Sequence, residues 1–108
     1  MTVPPRRARE ASLAVFTTTE LRKQMAKGTV RYWAAAKAAA GIAEEPYDAS
    51  TLAEALATAR ERHPGELVRV LRRCSFLVDG DPVGTREHET VRLADGGTVE
   101  VLPPFAGG

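Results

Sequence analysis

The chain is poor in the residue types that most often carry chemistry. In 108 residues it has one cysteine (Cys74), two histidines and one tryptophan, and aromatic residues make up 6%. A lone cysteine excludes an internal disulfide framework and any cluster that needs several thiolates. A reducing cytoplasm is therefore the expected compartment. No apolar run is long enough to span a bilayer, and the stretch Ala11 to Phe16, broken by Ser12, is too short for a secretory core. Neither export nor a membrane partner is expected. The net charge is only +1 and no stripe of basic and aromatic residues is present, which argues against nucleic acid as a partner. Gly96-Gly97 lacks the spacing and the lysine of a phosphate loop, so a tight turn is its reading.

What remains is ordinary for one soluble domain: 44% hydrophobic and 27% charged residues. A chain of 11.6 kDa buries roughly 65% of its unfolded surface on folding, enough for a modest core without staples. The charge is unevenly spread. Residues 1–24 carry +3, with Arg6, Arg7 and Arg9 beside Pro4-Pro5 and Thr17-Thr18-Thr19, and the remainder carries −2. Residues 1–24 lack a sustained apolar period and are expected to form a disordered, dispensable extension. A complete domain is expected over 25–108, with Met25 as a second possible start and residues 103–108 as a flexible tail.

Within that domain the punctuation is clear. Thr29 to Ala34 is β-prone, and alternation places Val30, Tyr32 and Ala34 on one face with Arg31 and Trp33 on the other. Ala35 to Ala40 predicts a short helical turn closed by Gly41, and Ile42 to Tyr47 a second strand. Thr51-Leu52-Ala53-Glu54 has the form of a helix start with a capping box, and Leu52, Ala55, Leu56 and Ala59 then recur on one face as far as about Arg62, before His63-Pro64-Gly65. Glu66 to Arg73 is a second short helix, whose Arg69, Arg72 and Arg73 read as a solvated face. Cys74 to Val78 is a strand ended by Asp79-Gly80-Asp81-Pro82, Val91 to Leu93 a short strand piece, and Thr98 to Leu102 the last strand. The fold class expected from this order is α+β: a ubiquitin-like β-grasp, with a mixed sheet wrapped on one main helix and short extra helices.

The side chains offer little catalysis. Cys74 opens an apolar strand and reads as a small buried side chain rather than a nucleophile. His63 reads as the residue before a helix-stopping proline. His88, between Glu87 and Glu89, is far in sequence from the other imidazole, and no metal site is expected.

The end of the chain is more informative. Leu102-Pro103-Pro104-Phe105-Ala106-Gly107-Gly108 joins a strand to two prolines and a closing diglycine. At average glycine usage two glycines close a chain by chance with a probability of ~0.5%, so context must decide their meaning. A terminus without side chains, carried on a stiff diproline, can thread a channel that larger residues would block.

From Gly28 to Gly108 the chain resembles the MoaD/ThiS family of ubiquitin-like sulfur carriers, and is most similar to the small subunits of molybdopterin synthase. The matching pieces are Val30-Arg31-Tyr32-Trp33-Ala34, Leu77-Val78-Asp79-Gly80, Leu93-Ala94-Asp95-Gly96 and the ending from Leu102. Gly97 departs from an acidic residue common in the family, Phe105 from a smaller aliphatic one, and residues 1–27 have no counterpart. The resemblance implies that Gly108 is the reactive residue, adenylated and then converted to a thiocarboxylate, with Gly107, Ala106, Phe105, Pro104 and Pro103 as its tail. It implies two partners, the large subunit of molybdopterin synthase and a ubiquitin-activating-like adenylyltransferase. ATP is then used by that partner, with no cofactor bound here, so the chain is a co-substrate rather than an enzyme alone. If the first and last strands pair in parallel, Trp33 and Leu102 form an exposed apolar patch for partner binding. Two other readings stay open: a carrier supplying thiamine thiazole, cysteine or protein conjugation, and a β-grasp interaction module without tail chemistry.

Overall fold

The structure, a computed structural model, describes residues 25–104. The expectations for residues 1–24 and for Phe105, Ala106, Gly107 and Gly108 lie outside them. Strand β1 (Ala26–Tyr32) is followed by helix α1 (Ala34–Ala40), strand β2 (Glu44–Ala49), helix α2 (Leu52–Arg62) and helix α3 (Glu66–Leu71). Strands β3 (Ser75–Val78) and β4 (Asp81–Pro82), a 3-10 helix at His88–Thr90 and strand β5 (Thr98–Leu102) complete the order. The five strands form one mixed sheet in the order β2-β1-β5-β3-β4. Its central pair, β1 and β5, is parallel, and the other pairs are antiparallel.

Local chemistry explains most boundaries. Thr51 caps α2 by accepting from the Glu54 amide at 3.3 Å, and the Glu54 carboxylate reaches back one residue past the cap, accepting from the Ser50 amide and hydroxyl at 2.8 Å, a variant of the capping box. All four residues expected on the inner face of α2, Leu52, Ala55, Leu56 and Ala59, are buried. They meet Val30 and Tyr32 of β1 and Val99 and Val101 of β5 in one core cluster, which also takes Leu67 and Leu71 from α3. Gly41 ends α1 with φ 76° and donates to the Lys37 carbonyl, a left-handed cap that costs glycine no Cβ clash. Asp79 and Gly80, at φ 52° and 86°, make the two-residue turn between β3 and β4, where positive φ matches the twist of the strands.

Several expectations are corrected. Strand β1 begins at Ala26 and stops at Tyr32, so Ala34 is not an inward strand residue: it opens α1 with φ 50° and is exposed. Strand β2 runs Glu44–Ala49 rather than Ile42 to Tyr47, because the chain uses Ile42 and Ala43 to turn after Gly41, leaving Ile42 exposed. Val91 to Leu93 forms no strand but a single bridge between Thr51 and Arg92. Asp81-Pro82, read as the end of a turn, pairs with Val78 and Leu77 as β4.

Candidate functional site: the root of the tail and its surface

Strand β5 delivers the chain to the tail. Val99 and Val101 point into the core, leaving Glu100 and Leu102 on the other face, half-buried. Prolines then end the ladder, because neither Pro103 nor Pro104 has an amide hydrogen to donate. Pro103 is buried and Pro104 exposed. Both line a cavity of about 140 Å³ with Ala35, Val70 and Arg73. The tail expected to be free from residue 103 is therefore packed at its first residue.

The parallel pairing sets Tyr32 opposite Val101, and the Trp33 amide donates to the Val101 carbonyl at 3.2 Å. Trp33 is thus one step beyond the pair, level with Leu102. Its side chain is 42% exposed, and the indole Nε1 donates to Glu100 Oε1 at 3.1 Å. Trp33 and Leu102 stand at the same end of the central strand pair, but Trp33, expected as an outward residue of the first strand, lies past its end as the N-cap of α1, and Leu102 is half-buried rather than exposed. Among exposed residues nearby, Arg31 pairs with Glu44 at 3.7 Å, whereas Arg73 makes no ion pair among the described residues.

Other titratable groups serve the fold. Cys74 is half-buried, and its thiol donates to the Val70 carbonyl at 3.3 Å. Burial pushes that thiol up to about 11, only partly opposed by the neighbouring Arg73. This is a poor nucleophile at neutral pH. Among the described residues no group of three or more His, Cys, Asp or Glu side chains is placed to hold a metal, and no helix is long and apolar enough to cross a membrane.

His63 does more than precede a proline. Its Nε2 lies 2.8 Å from Glu45 Oε2, which also accepts from the Tyr32 hydroxyl at 2.5 Å, while Arg62 stands 3.6 Å from the other carboxylate oxygen. Burial, then the hydrogen bond and charge of Glu45, push the Tyr32 phenol up. The cluster ties β1 and β2 to the end of α2. It was invisible in the sequence because 18 residues separate Glu45 from His63 and only the fold brings them together. His88 packs edge-on against Phe76, with ring centroids 5.3 Å apart.

A single helix-bearing α+β unit whose mixed sheet holds a parallel pair of first and last strands defines the class: a ubiquitin-like β-grasp domain. The sequence model of the ThiS family matches residues 30–108, and the chain belongs to that family of small sulfur carriers. No curated protein matches the chain. Solved structures share its fold. The small archaeal modifier protein 1 (SAMP1) from Methanosarcina acetivorans is similar with a TM-score of 0.67 at 22% identity, over 78% of this chain and 98% of that one. The Amycolatopsis orientalis BexX/CysO complex includes a chain similar at 0.63 and 23% identity, over 75% and 99%. The complex of subunits 1 and 2 of the molybdopterin-converting factor from Helicobacter pylori 26695 includes one similar at 0.56 and 22% identity, over 76% and 99%.

Proposed function

We propose that this chain carries sulfur on Gly108 for the synthesis of molybdopterin. The observation that carries the reading is that the family match runs through Gly108, so the diglycine falls inside the family pattern and follows the β5 strand and diproline described above. A carboxylate is a poor acyl donor because oxide would have to leave. An adenylating partner therefore first joins the Gly108 carboxylate to AMP from ATP, releasing pyrophosphate. The terminal sulfur of a persulfide then displaces AMP, and a thiol cleaves the resulting acyl disulfide to leave a thiocarboxylate. Its sulfur is a stronger nucleophile than the oxygen it replaces. Gly107 gives clearance in the partner's channel, and Pro103-Pro104 stiffen the exit. The chain acts as a co-substrate, and the groups that stabilise the reaction belong to its partners.

The diproline and the likeness to a subunit of a molybdopterin-converting factor support the pterin as customer. A second reading, sulfur delivery to another metabolite or conjugation to protein, is favoured by the higher structural similarity to SAMP1 and CysO.

One experiment separates these. Incubation with ATP, a cognate adenylating enzyme and a sulfur donor is expected to raise the intact mass by one oxygen-to-sulfur exchange, placed on Gly108 by tandem mass spectrometry. Deleting Gly108, extending the chain beyond it, or Gly107→Val should abolish loading with the melting curve unchanged. Adding precursor pterin and the large synthase subunit should then yield the dithiolene. Loading without transfer assigns another customer, and failure of the wild-type chain to load leaves only an interaction module.

A further inference from the structure

Between α2, α3, the first residues of β3 and the 3-10 helix lies a cavity of about 620 Å³, within the range of small-molecule sites. Leu56 and Phe76, both buried, give it an apolar floor, while Arg60, Arg72 and His88 line it together with Ser75. No carboxylate lines it.

Four of the eight described arginines, Arg60, Arg72, Arg73 and Arg92, stand in no ion pair and no side-chain hydrogen bond, and of these Arg60 and Arg72 share this one cavity. Arg31, Arg62 and Arg69 each stand in an ion pair, and Arg86 donates to the carbonyls of Val83 and Pro82. Among the described residues Arg60 and Arg72 make neither an ion pair nor a side-chain hydrogen bond. A basic residue near the end of a helix is favoured by the helix dipole, and that accounts for one charge on α2 and one at the end of α3. It does not account for both converging on one concave site beside an imidazole, where like charges repel without a counter-ion. Glu87 and Glu89 line only an adjoining depression, which shares Arg60 and His88 with the cavity. They come no closer than the ion-pair limit to either.

We infer that this cavity binds a small organic anion, a phosphate or carboxylate on an aromatic or aliphatic body. The guanidinium forks of Arg60 and Arg72 match the oxygens of either anion. His88, braced edge-on by Phe76, keeps at least one N–H donor in either charge state. The apolar body rests on Leu56 and Phe76. The site does not depend on the tail or on any chemistry at Gly108, and it gives Arg72, read from the sequence as solvated, a ligand.

The test is an amide chemical-shift titration of the full chain with phenyl phosphate, benzoate, inorganic phosphate and benzyl alcohol. Phenyl phosphate or benzoate is expected to shift the amides of Arg60, Arg72, Ser75 and His88 in a saturable way. Inorganic phosphate and benzyl alcohol, each carrying half of the ligand chemistry, should bind at least about tenfold more weakly. The double variant Arg60→Gln/Arg72→Gln changes two exposed side chains, so it should melt like the parent and lose about tenfold or more in affinity for the aromatic anion. Absence of saturable shifts, shifts centred elsewhere, or equal affinity in the double variant would overturn the site. Equal binding of inorganic phosphate would overturn the apolar half of the ligand.

Discussion

The indole of Trp33 donates a 3.1 Å hydrogen bond to the carboxylate of Glu100, although 67 residues separate them in sequence. The bond reaches from the residue that follows β1 to β5 and holds an exposed aromatic ring in one orientation at the end of the parallel pair. An aromatic residue fixed before binding loses little entropy when a partner covers it.

On the proposed function, Trp33→Ala is therefore expected to weaken association with the large synthase subunit by about tenfold or more, while changing folding stability by no more than about 1 kcal/mol. Calorimetric binding and a thermal melt on the same sample read both quantities. A lowered melt with unchanged affinity would assign Trp33 to the fold and not to the interface.

Residues 1–24 lack a sustained apolar period and carry a net charge of +3, so a chain starting at Met25 is expected to melt cooperatively at the temperature of the full chain and, on the proposed function, to load sulfur equally well. Differential scanning calorimetry and the loading assay check it. A lower melting temperature would make residues 1–24 part of the folded unit.

Thiol reactivity gives a third check. With its thiol raised from 9.0 to about 11 by burial, Cys74 has about a hundredfold less thiolate near neutral pH than an ordinary cysteine. Alkylation of the folded chain should be slower by about that factor than alkylation in denaturant. Similar rates would show that the thiol is open and ionised.

Acid sensitivity is expected at the start of α2. Hydrogen bonds from the Ser50 amide, then from the Ser50 hydroxyl, hold the Glu54 carboxyl below its ordinary 4.5. A depressed folded value means that the stabilisation is fully present above the ordinary value and is lost as pH falls through the lower folded one. Glu54→Gln should cost about 0.5–1 kcal/mol at neutral pH, and the gap between the two melting curves should close in acid below 4.5. A gap that persists there would assign the effect to the amide substitution itself.

The sequence makes α2 and β5 legible to the residue, because each carries its own signals: a capping box with an apolar stripe at helical spacing, and alternating valines before a diproline. The start of β1 is not legible in this way. Ala26, Lys27 and Gly28 have little strand preference, and they are strands because Ala49, Asp48 and Tyr47 pair with them, a tertiary effect that overrides propensity. The same holds for Glu45, whose partners Tyr32 on one side and the adjacent pair Arg62-His63 on the other are brought together only by the fold. At the candidate site the level of Trp33 with Leu102 follows from the parallel register, but its place as a helix cap rather than a strand residue does not follow from alternation. The burial of Pro103 does not follow either, since no local pattern reports how a residue beyond a strand is covered by the rest of the fold.

The place of β5 also sets when the sheet can close. It fills the gap between β1 and β3, yet among the described strands it is the last in sequence, so the central pair closes only after the other four have been synthesised. Until then β1 and β3 each present a bare edge. A chain cut before Thr98 therefore lacks the central pair and leaves the facing edges of β1 and β3 open to pairing with other strands.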